Sequence, residues 1–411
     1  AEPGPKLEIK AGRKSTSFAY KNDYVALTER VLEEVSLADS EMVFAGYGIV
    51  APEYNWDDYQ GLNVQGKTVV VLVNDPGYAT QDPALFSGRT MTYYGRWTYK
   101  YEEAARQGAA GIFIVHETGP AAYPWAVVEN GWTGPRFNLV RENNNMSRCA
   151  VEGWLQLETT RKIFESAGMN FEELKAAAAK RGFKPVSLGL KASLTLKNSV
   201  KKVTSRNVVA LLAGSKLADE YVVYMSHWDH FGMNPALKGD QIFNGAVDNA
   251  TGTAALIELA RAFKKLKRPP LRSIVFLAVT GEEQGLIGSE YYASQPLFPA
   301  AKTAAVINMD ALNVYGRMKD ITVIGYGLSE LDRYIEAAAK EQGRTVNPDP
   351  TPEKGSYFRS DHFPFAKKGI PAIYPSSGTD SVEHGKEWTL AKREKYTAEN
   401  YHKPSDEFDP S

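Results

Sequence analysis

A chain of 411 residues is too long for one ordinary hydrophobic core, so two domains are the default. Hydrophobic residues at 43% and charged residues at 24% are the mix of a globular protein, and 48 Lys plus Arg against 49 Asp plus Glu leave a formal net charge of −1. That balance excludes an electrostatic case for nucleic acid or an anionic membrane as partner, the apolar runs are too short for a membrane span, and the single Cys149 excludes a disulfide framework or a thiolate-rich zinc site.

Residues 1–40 read as a polar, extended lead-in segment with one weakly helical stretch. Residues 41–200 read as a smaller mixed α/β domain of short strands and turns. Val43 to Ile49 is punctuated by glycine, Trp56 to Tyr59 is an aromatic, acidic loop, and Thr68 to Val73 is a β-branched strand running into the turn Asn74-Asp75-Pro76-Gly77. Tyr99 to Gln107 reads as helix, Ala110 to His116 as strand, Glu172 to Arg181 as helix, and Ser193 to Leu196 as strand. The grammar changes for residues 201–411, where strand, turn and helix alternate. Tyr221 to Met225 is a strand, and Thr251 to Leu266 is a helix with Ala255, Leu256, Leu259, Phe263 and Leu266 on one face. Ser273 to Thr280, Ala304 to Met309 and Ile370 to Tyr374 are further strands. Such βαβ repetition predicts an α/β fold with a doubly wound, mostly parallel sheet, which binds ligands beyond the carboxyl ends of its strands.

His227, Glu282, Glu283 and Asp310 all fall at those strand ends, and Asp248 falls in the turn that opens the helix at Thr251. With His402 they supply what a two-metal hydrolase needs, namely ions roughly 3.5–4 Å apart that polarise a scissile bond and acidify water. Asp248, a short carboxylate on a tight turn, suits bridging. His227 and Asp310 would complete one ion, and Glu283 and His402 the other. Asp229, two residues after His227, can accept the far ring N–H and fix its tautomer. Glu282 diverges from its neighbour Glu283 and suits a general base. Imidazole and carboxylate without thiolate favour zinc, two ions per chain, with cobalt or manganese as chemical alternatives.

These residues lie in the runs Ser226-His227-Trp228-Asp229-His230, Gly245 to Gly252, Gly281-Glu282-Glu283-Gln284-Gly285, Asn308-Met309-Asp310 and Tyr401 to Asp406. The set resembles the co-catalytic di-zinc aminopeptidase family, whose relatives include glutamate carboxypeptidase and the transferrin receptor ectodomain. Phe44 to Ile49 and Gly66 to Val71 resemble the start of the protease-associated domain that many members carry as an insertion. The resemblance implies a zinc peptidase catalytic domain that hydrolyses amino-terminal residues of peptides through a metal-bridging hydroxide. It implies His227 and Asp310 on one zinc, Glu283 and His402 on the other, Asp248 as bridge, Asp229 as support and Glu282 as base. It also implies that Tyr374, at a strand end where the family often puts a residue touching the substrate carbonyl, could donate to an oxyanion; packing against the sheet edge is the alternative. With Ala1 rather than Met first, it implies an exported, processed or internal segment, periplasmic or extracellular. Oligomeric state is left open.

Two other uses of this site are a carboxypeptidase of the glutamate carboxypeptidase type, for which Arg359 is the lone candidate to hold a substrate carboxylate, and a catalytically silent binding ectodomain. Outside the ligand set, His230, His362 and His384 are weaker candidates, and His116 reads as structural. Tyr54 to Tyr59 and Tyr93 to Tyr101 read either as a lid or as the core of their own domain.

Overall fold

The computed structural model describes residues 5–408. Two compact units divide it: the residues up to Lys202 with Glu353–Gly355, and Val203–Pro352 with the residues from Ser356 onward.

In the first unit eight strands form one sheet. In chain order they are β1 (Leu7–Ala11), β2 (Lys14–Phe18), β3 (Tyr24–Leu27), β4 (Glu34–Phe44), β5 (Thr68–Leu72), β6 (Gly111–His116), β7 (Val151–Gln156) and β8 (Val186–Lys197). Their spatial order is β2-β1-β8-β4-β5-β6-β7-β3. The central β4, β5, β6 and β7 run parallel, and the flanking pairs are antiparallel. Every residue of β5 and β6 is buried, as continuous apolar strands covered on both faces must be. Alternate side chains feed separate cores. Val70, Leu72, Phe113 and Val115 lie on one face, and Val69, Val71, Ile112 and Ile114 on the other. Helices α1 (Trp97–Arg106), α2 (Trp125–Trp132), α3 (Leu157–Ser166) and α4 (Phe171–Ala178) accompany the sheet.

The N-terminal expectation needs correction. Residues 7–40 supply β1, β2, β3 and most of β4, and none of the described residues 5–40 is helical. Only Phe18 of the polar strand Lys14–Phe18 is buried, so its sequence carries almost no period-2 signal. The aromatic stretches belong to this unit's own core: Trp56, Tyr59, Tyr99 and Tyr101 are buried. The carboxylate of buried Asp58 pins the first stretch by accepting from Tyr47 N, Ile49 N and Trp56 Nε1. Asp75, read as part of a turn, instead caps a short helix by accepting from Gly77 N and Tyr78 N.

The second unit holds a seven-stranded sheet. Its strands are β9 (Val208–Leu212), β10 (Leu217–His227), β13 (Arg272–Val279), β14 (Thr303–Asn308), β15 (Asp320–Ile324), β16 (Thr345–Pro348) and β17 (Ala372–Ser376), in the order β9-β13-β10-β14-β17-β15-β16. A separate hairpin pairs β11 (Gly232–Met233) with β12 (Ile242–Phe243). The four central strands β13, β10, β14 and β17 are parallel, and β9 and β15 join antiparallel. Val223, Met225, Val275, Leu277 and Val306 face one core, while Ile274 and Phe276 pack with Leu256 and Met309 on the other. The helices are α5 (Thr251–Lys264), α6 (Ile287–Ser294), α7 (Asp332–Glu341), α8 (His362–Ala366) and α9 (Gly385–Glu399). On α5, Leu256 is buried and Ala255, Leu259 and Phe263 pack beside it, whereas Leu266 falls beyond the helix and is exposed. No helix among the described residues is long and apolar enough to cross a membrane.

Candidate metal centre

β10 ends at His227, and its 1% exposed ring is oriented by its own chain. Nδ1 lies 2.9 Å from the backbone carbonyl of Asp229, which can only accept, so the proton resides on Nδ1. Nε2 then presents a lone pair to Asp248 Oδ1 at 3.2 Å and Asp310 Oδ1 at 3.3 Å. A lone pair facing two anionic oxygens is repulsive unless a proton or a cation lies between them. Burial works against charge on His227, yet the Asp248 and Asp310 carboxylates outweigh it and hold the imidazole far above its ordinary pKa. The same converging atoms fit a metal ion.

Asp248 turns its other oxygen to a second cluster. Oδ2 is 3.3 Å from His402 Nε2, which is also 3.3 Å from Glu283 Oε2. One carboxylate therefore addresses both groups, each oxygen toward a different imidazole. Its backbone comes from the loop between Gly245, at φ 61°, and Thr251. That loop is gripped by Asp406, whose carboxylate accepts from Val247 N, Asp248 N and Tyr396 Oη at 3.0–3.3 Å. Asn249 ties the loop to the sheet. Its Nδ2 donates to Ser226 Oγ and Met309 O, and its Oδ1 accepts from Gly252 N and Ala311 N. On β14 the amide of Asn308 donates to Ser360 Oγ at 2.7 Å, and that hydroxyl donates to Asp310 Oδ2 at 2.6 Å. Oδ1 of Asp310 is thereby left for the metal side.

Asp229 supports the site differently from expectation. Its backbone carbonyl, not its carboxylate, orients His227, and its Oδ2 accepts from Gly281 N at 2.7 Å. The side chain thus braces the turn carrying Glu282 and Glu283. The ring N–H is already taken by the backbone carbonyl of Asp229, and its carboxylate serves Gly281 N instead. Glu282 is half-buried, and its carboxyl is pushed well up by burial and by Asp310, against the opposing charge of His227. Tyr374 on β17 senses the same cluster, since burial, then Asp310 and Glu282, raise its hydroxyl pKa. Tyr401 stacks on His402 with ring centroids 3.7 Å apart.

The structure brings His227, Asp248, Glu283, Asp310 and His402 together, with Glu282 and Tyr374 beside them. Asp406, Asn249 and Ser360 were missed as supports, although Asp406 and Asn249 lie within the runs Tyr401 to Asp406 and Gly245 to Gly252. Their signal is a hydrogen-bond partner 50 to 159 residues away, which no local pattern reports. His362 is fully buried against Tyr357 and Tyr374, with its pKa lowered to about 3 by burial. His116 is packed among Trp125 and Trp154, and His384 packs against Trp388 with the rings tilted by 33°.

Carboxylate–imidazole clusters sharing one aspartate, at the carboxyl edge of a parallel α/β sheet, form a donor set that fits metal ions. Comparison with known proteins gives the family. Residues 207–411 match peptidase family M28, and through that half the chain belongs to it. A probable zinc metalloprotease of Pyrenophora teres f. teres is 42% identical over 109 residues, 26% of this chain and 23% of that protein. Aminopeptidase NAALADL1 of Mus musculus is 31% identical over 168 residues, 39% of this chain and 20% of that protein. Among solved structures, an aminopeptidase from Aneurinibacillus sp. strain AM-1 is 20% identical with a TM-score of 0.46, covering 95% of this chain and 77% of that one. The chain spans less than a quarter of the length of these two curated relatives.

Proposed function

We propose that the chain is a zinc-dependent exopeptidase that removes residues from the amino terminus of peptides. The observation that carries this is the split carboxylate of Asp248, Oδ1 3.2 Å from His227 Nε2 and Oδ2 3.3 Å from His402 Nε2. Two zinc ions bound there would polarise the scissile carbonyl and acidify the attacking water. His227 and Asp310 would hold the first ion and Glu283 and His402 the second, with Asp248 contributing to both. Glu282 takes the proton released on attack and returns it to the leaving amine. Tyr374 donates its hydroxyl toward the developing oxyanion. The names of the relatives support peptide bonds as substrate, and the eight-stranded unit is proposed as a protease-associated domain on its Phe44–Ile49 and Gly66–Val71 motifs.

The test is a panel of aminoacyl reporter amides, free or blocked at the amine, assayed with zinc and with chelator. Hydrolysis of free-amine reporters that chelator abolishes is expected. Cleavage confined to amino-blocked, carboxy-free dipeptides would instead select a carboxypeptidase, and zinc binding without any turnover a silent ectodomain. Glu282→Gln is expected to retain zinc and lower kcat by at least about 10²-fold. Unchanged turnover in that variant removes Glu282 from its role.

A further inference from the structure

We propose that His230 is an additional ligand of the second metal ion, so that Asp248, Glu283, His402 and His230 hold that ion while three side chains hold the first. The proposal rests on the two-metal reading and extends the ligand set beyond it.

His230 Nδ1 lies 2.7 Å from Glu283 Oε1, and both side chains are 5% exposed. The pair stands at ion-pair distance but without aligned hydrogen-bond geometry. His230 Nδ1, His230 Nε2 and Glu283 Oε1 are each buried, and each lacks a hydrogen-bond partner among the described residues. A buried imidazole and a buried carboxylate oxygen left unsatisfied are costly, about 1–3 kcal/mol per group, and a charge-paired imidazolium would align its N–H with the oxygen. Donor atoms gathered without that alignment can take a shared cation by parting to about 3.3 Å, the separation of two ligands at about 2.0 Å around a tetrahedral ion. Single ligand atoms of His230, Asp248 and Glu283 all lie within 4.8 Å of one another. Glu283 is then engaged at both oxygens, Oε1 on the His230 side and Oε2 on the His402 side.

The two imidazoles are also spaced as co-ligands. Their ring centroids are 5.8 Å apart with planes inclined at 64°, and two histidines on one zinc at about 2.0 Å put their centroids about 5–6 Å apart. The ring is held in place by its surroundings. A Cβ at Gly245 would come within 3.0 Å of His230 Cγ, and the rings of Phe231 and Phe243 lie 4.9 and 6.5 Å away. Phe243 belongs to β12 of the small hairpin, so the segment joining β10 to α5 encloses this ring while delivering Asp248.

The test counts imidazoles on the metals. The full chain is loaded with cobalt(II), and the strongly shifted, solvent-exchangeable ring N–H signals are counted by proton NMR. Three signals are expected in the unaltered chain, from His227, His402 and His230, and two in His230→Gln. Zinc competition with a chelator should show one site weakened at least about tenfold in His230→Gln and the other unchanged. Two signals in the unaltered chain, or weakened zinc in His230→Gln with the same signal count, would overturn the assignment, because His230 would then act only through Glu283. A chain that binds no cobalt would instead refute the two-metal reading. The count in the unaltered chain needs no variant, so misfolding of His230→Gln cannot obscure it.

Discussion

Replacing Asp406 by Asn tests whether the Asp248 carboxylate is positioned from a distance. Asp406 is 2% exposed, and its carboxylate receives Val247 N at 3.1 Å through Oδ1 and both Asp248 N at 3.1 Å and Tyr396 Oη at 3.0 Å through Oδ2. Asparagine keeps one oxygen and presents an NH₂ group to the other set of donors. At least one buried backbone N–H then loses its acceptor, worth about 1–3 kcal/mol, and the remaining bonds fall from charge-assisted to neutral strength, about 1 kcal/mol more. A loss of about 2–4 kcal/mol is expected in urea unfolding of the zinc-free chain. Asp248 faces both imidazole clusters, so on the proposed two-zinc site both affinities should weaken about 10- to 100-fold, as they do when groups behind a ligand are removed. Tyr396→Phe removes one hydroxyl donor and should cost about 1 kcal/mol with a smaller effect on zinc. Should Asp406→Asn unfold within about 0.5 kcal/mol of the unaltered chain and bind both zinc ions equally well, the positioning argument fails.

Gly252→Ala should disturb the same region by crowding rather than by loss of a charge. The new Cβ would lie 2.4 Å from Ser226 Oγ, 2.5 Å from Asn249 Oδ1 and 2.6 Å from Met309 O. A destabilisation of about 1–3 kcal/mol with weakened zinc is expected, read by urea unfolding and chelator competition. In the first unit, burial raises Asp58 to about 7 and Asp75 to about 6, and lowers fully buried Lys100 to about 7. Between pH 4 and 7 the native aspartates hold protons that the unfolded chain has released, so their contribution to stability falls as pH rises. Between pH 7 and 10.5 the unfolded chain keeps the Lys100 proton and the native state does not, so that contribution rises with pH. The cluster thus places a minimum near neutral pH, and Lys100→Met should abolish the alkaline rise. Calorimetry from pH 5 to 10 checks this, and curves that stay parallel above pH 7 would count against it.

The central strands were legible because Thr68–Leu72, Gly111–His116 and Arg272–Val279 are continuous apolar runs, and burial on both faces demands that composition. Helix α5 was legible for a related reason, its apolar residues recurring with the turn of the helix, although its end was read two residues long. The N-terminal strands were not. The clearest case is the polar strand Lys14–Phe18, of which only Phe18 is buried, so it gains its partner from hydrogen bonding to Leu7–Ala11 rather than from an apolar face. Extended polar chain looks the same whether or not such a neighbour exists.

The sequence by itself determined the chemistry available: two kinds of ligand, no thiolate cluster, and acids placed where parallel strands end. A strand end is a local property, so His227, Glu283 and Asp310 announce themselves. The tertiary structure alone decided which atom of each residue does the work. Only it turns one oxygen of Asp248 to each imidazole, gives His227 the carbonyl of Asp229 in place of its carboxylate, and presses His230 against Glu283. Those choices depend on side-chain direction and on contacts across 50 or more residues, and composition and spacing carry neither.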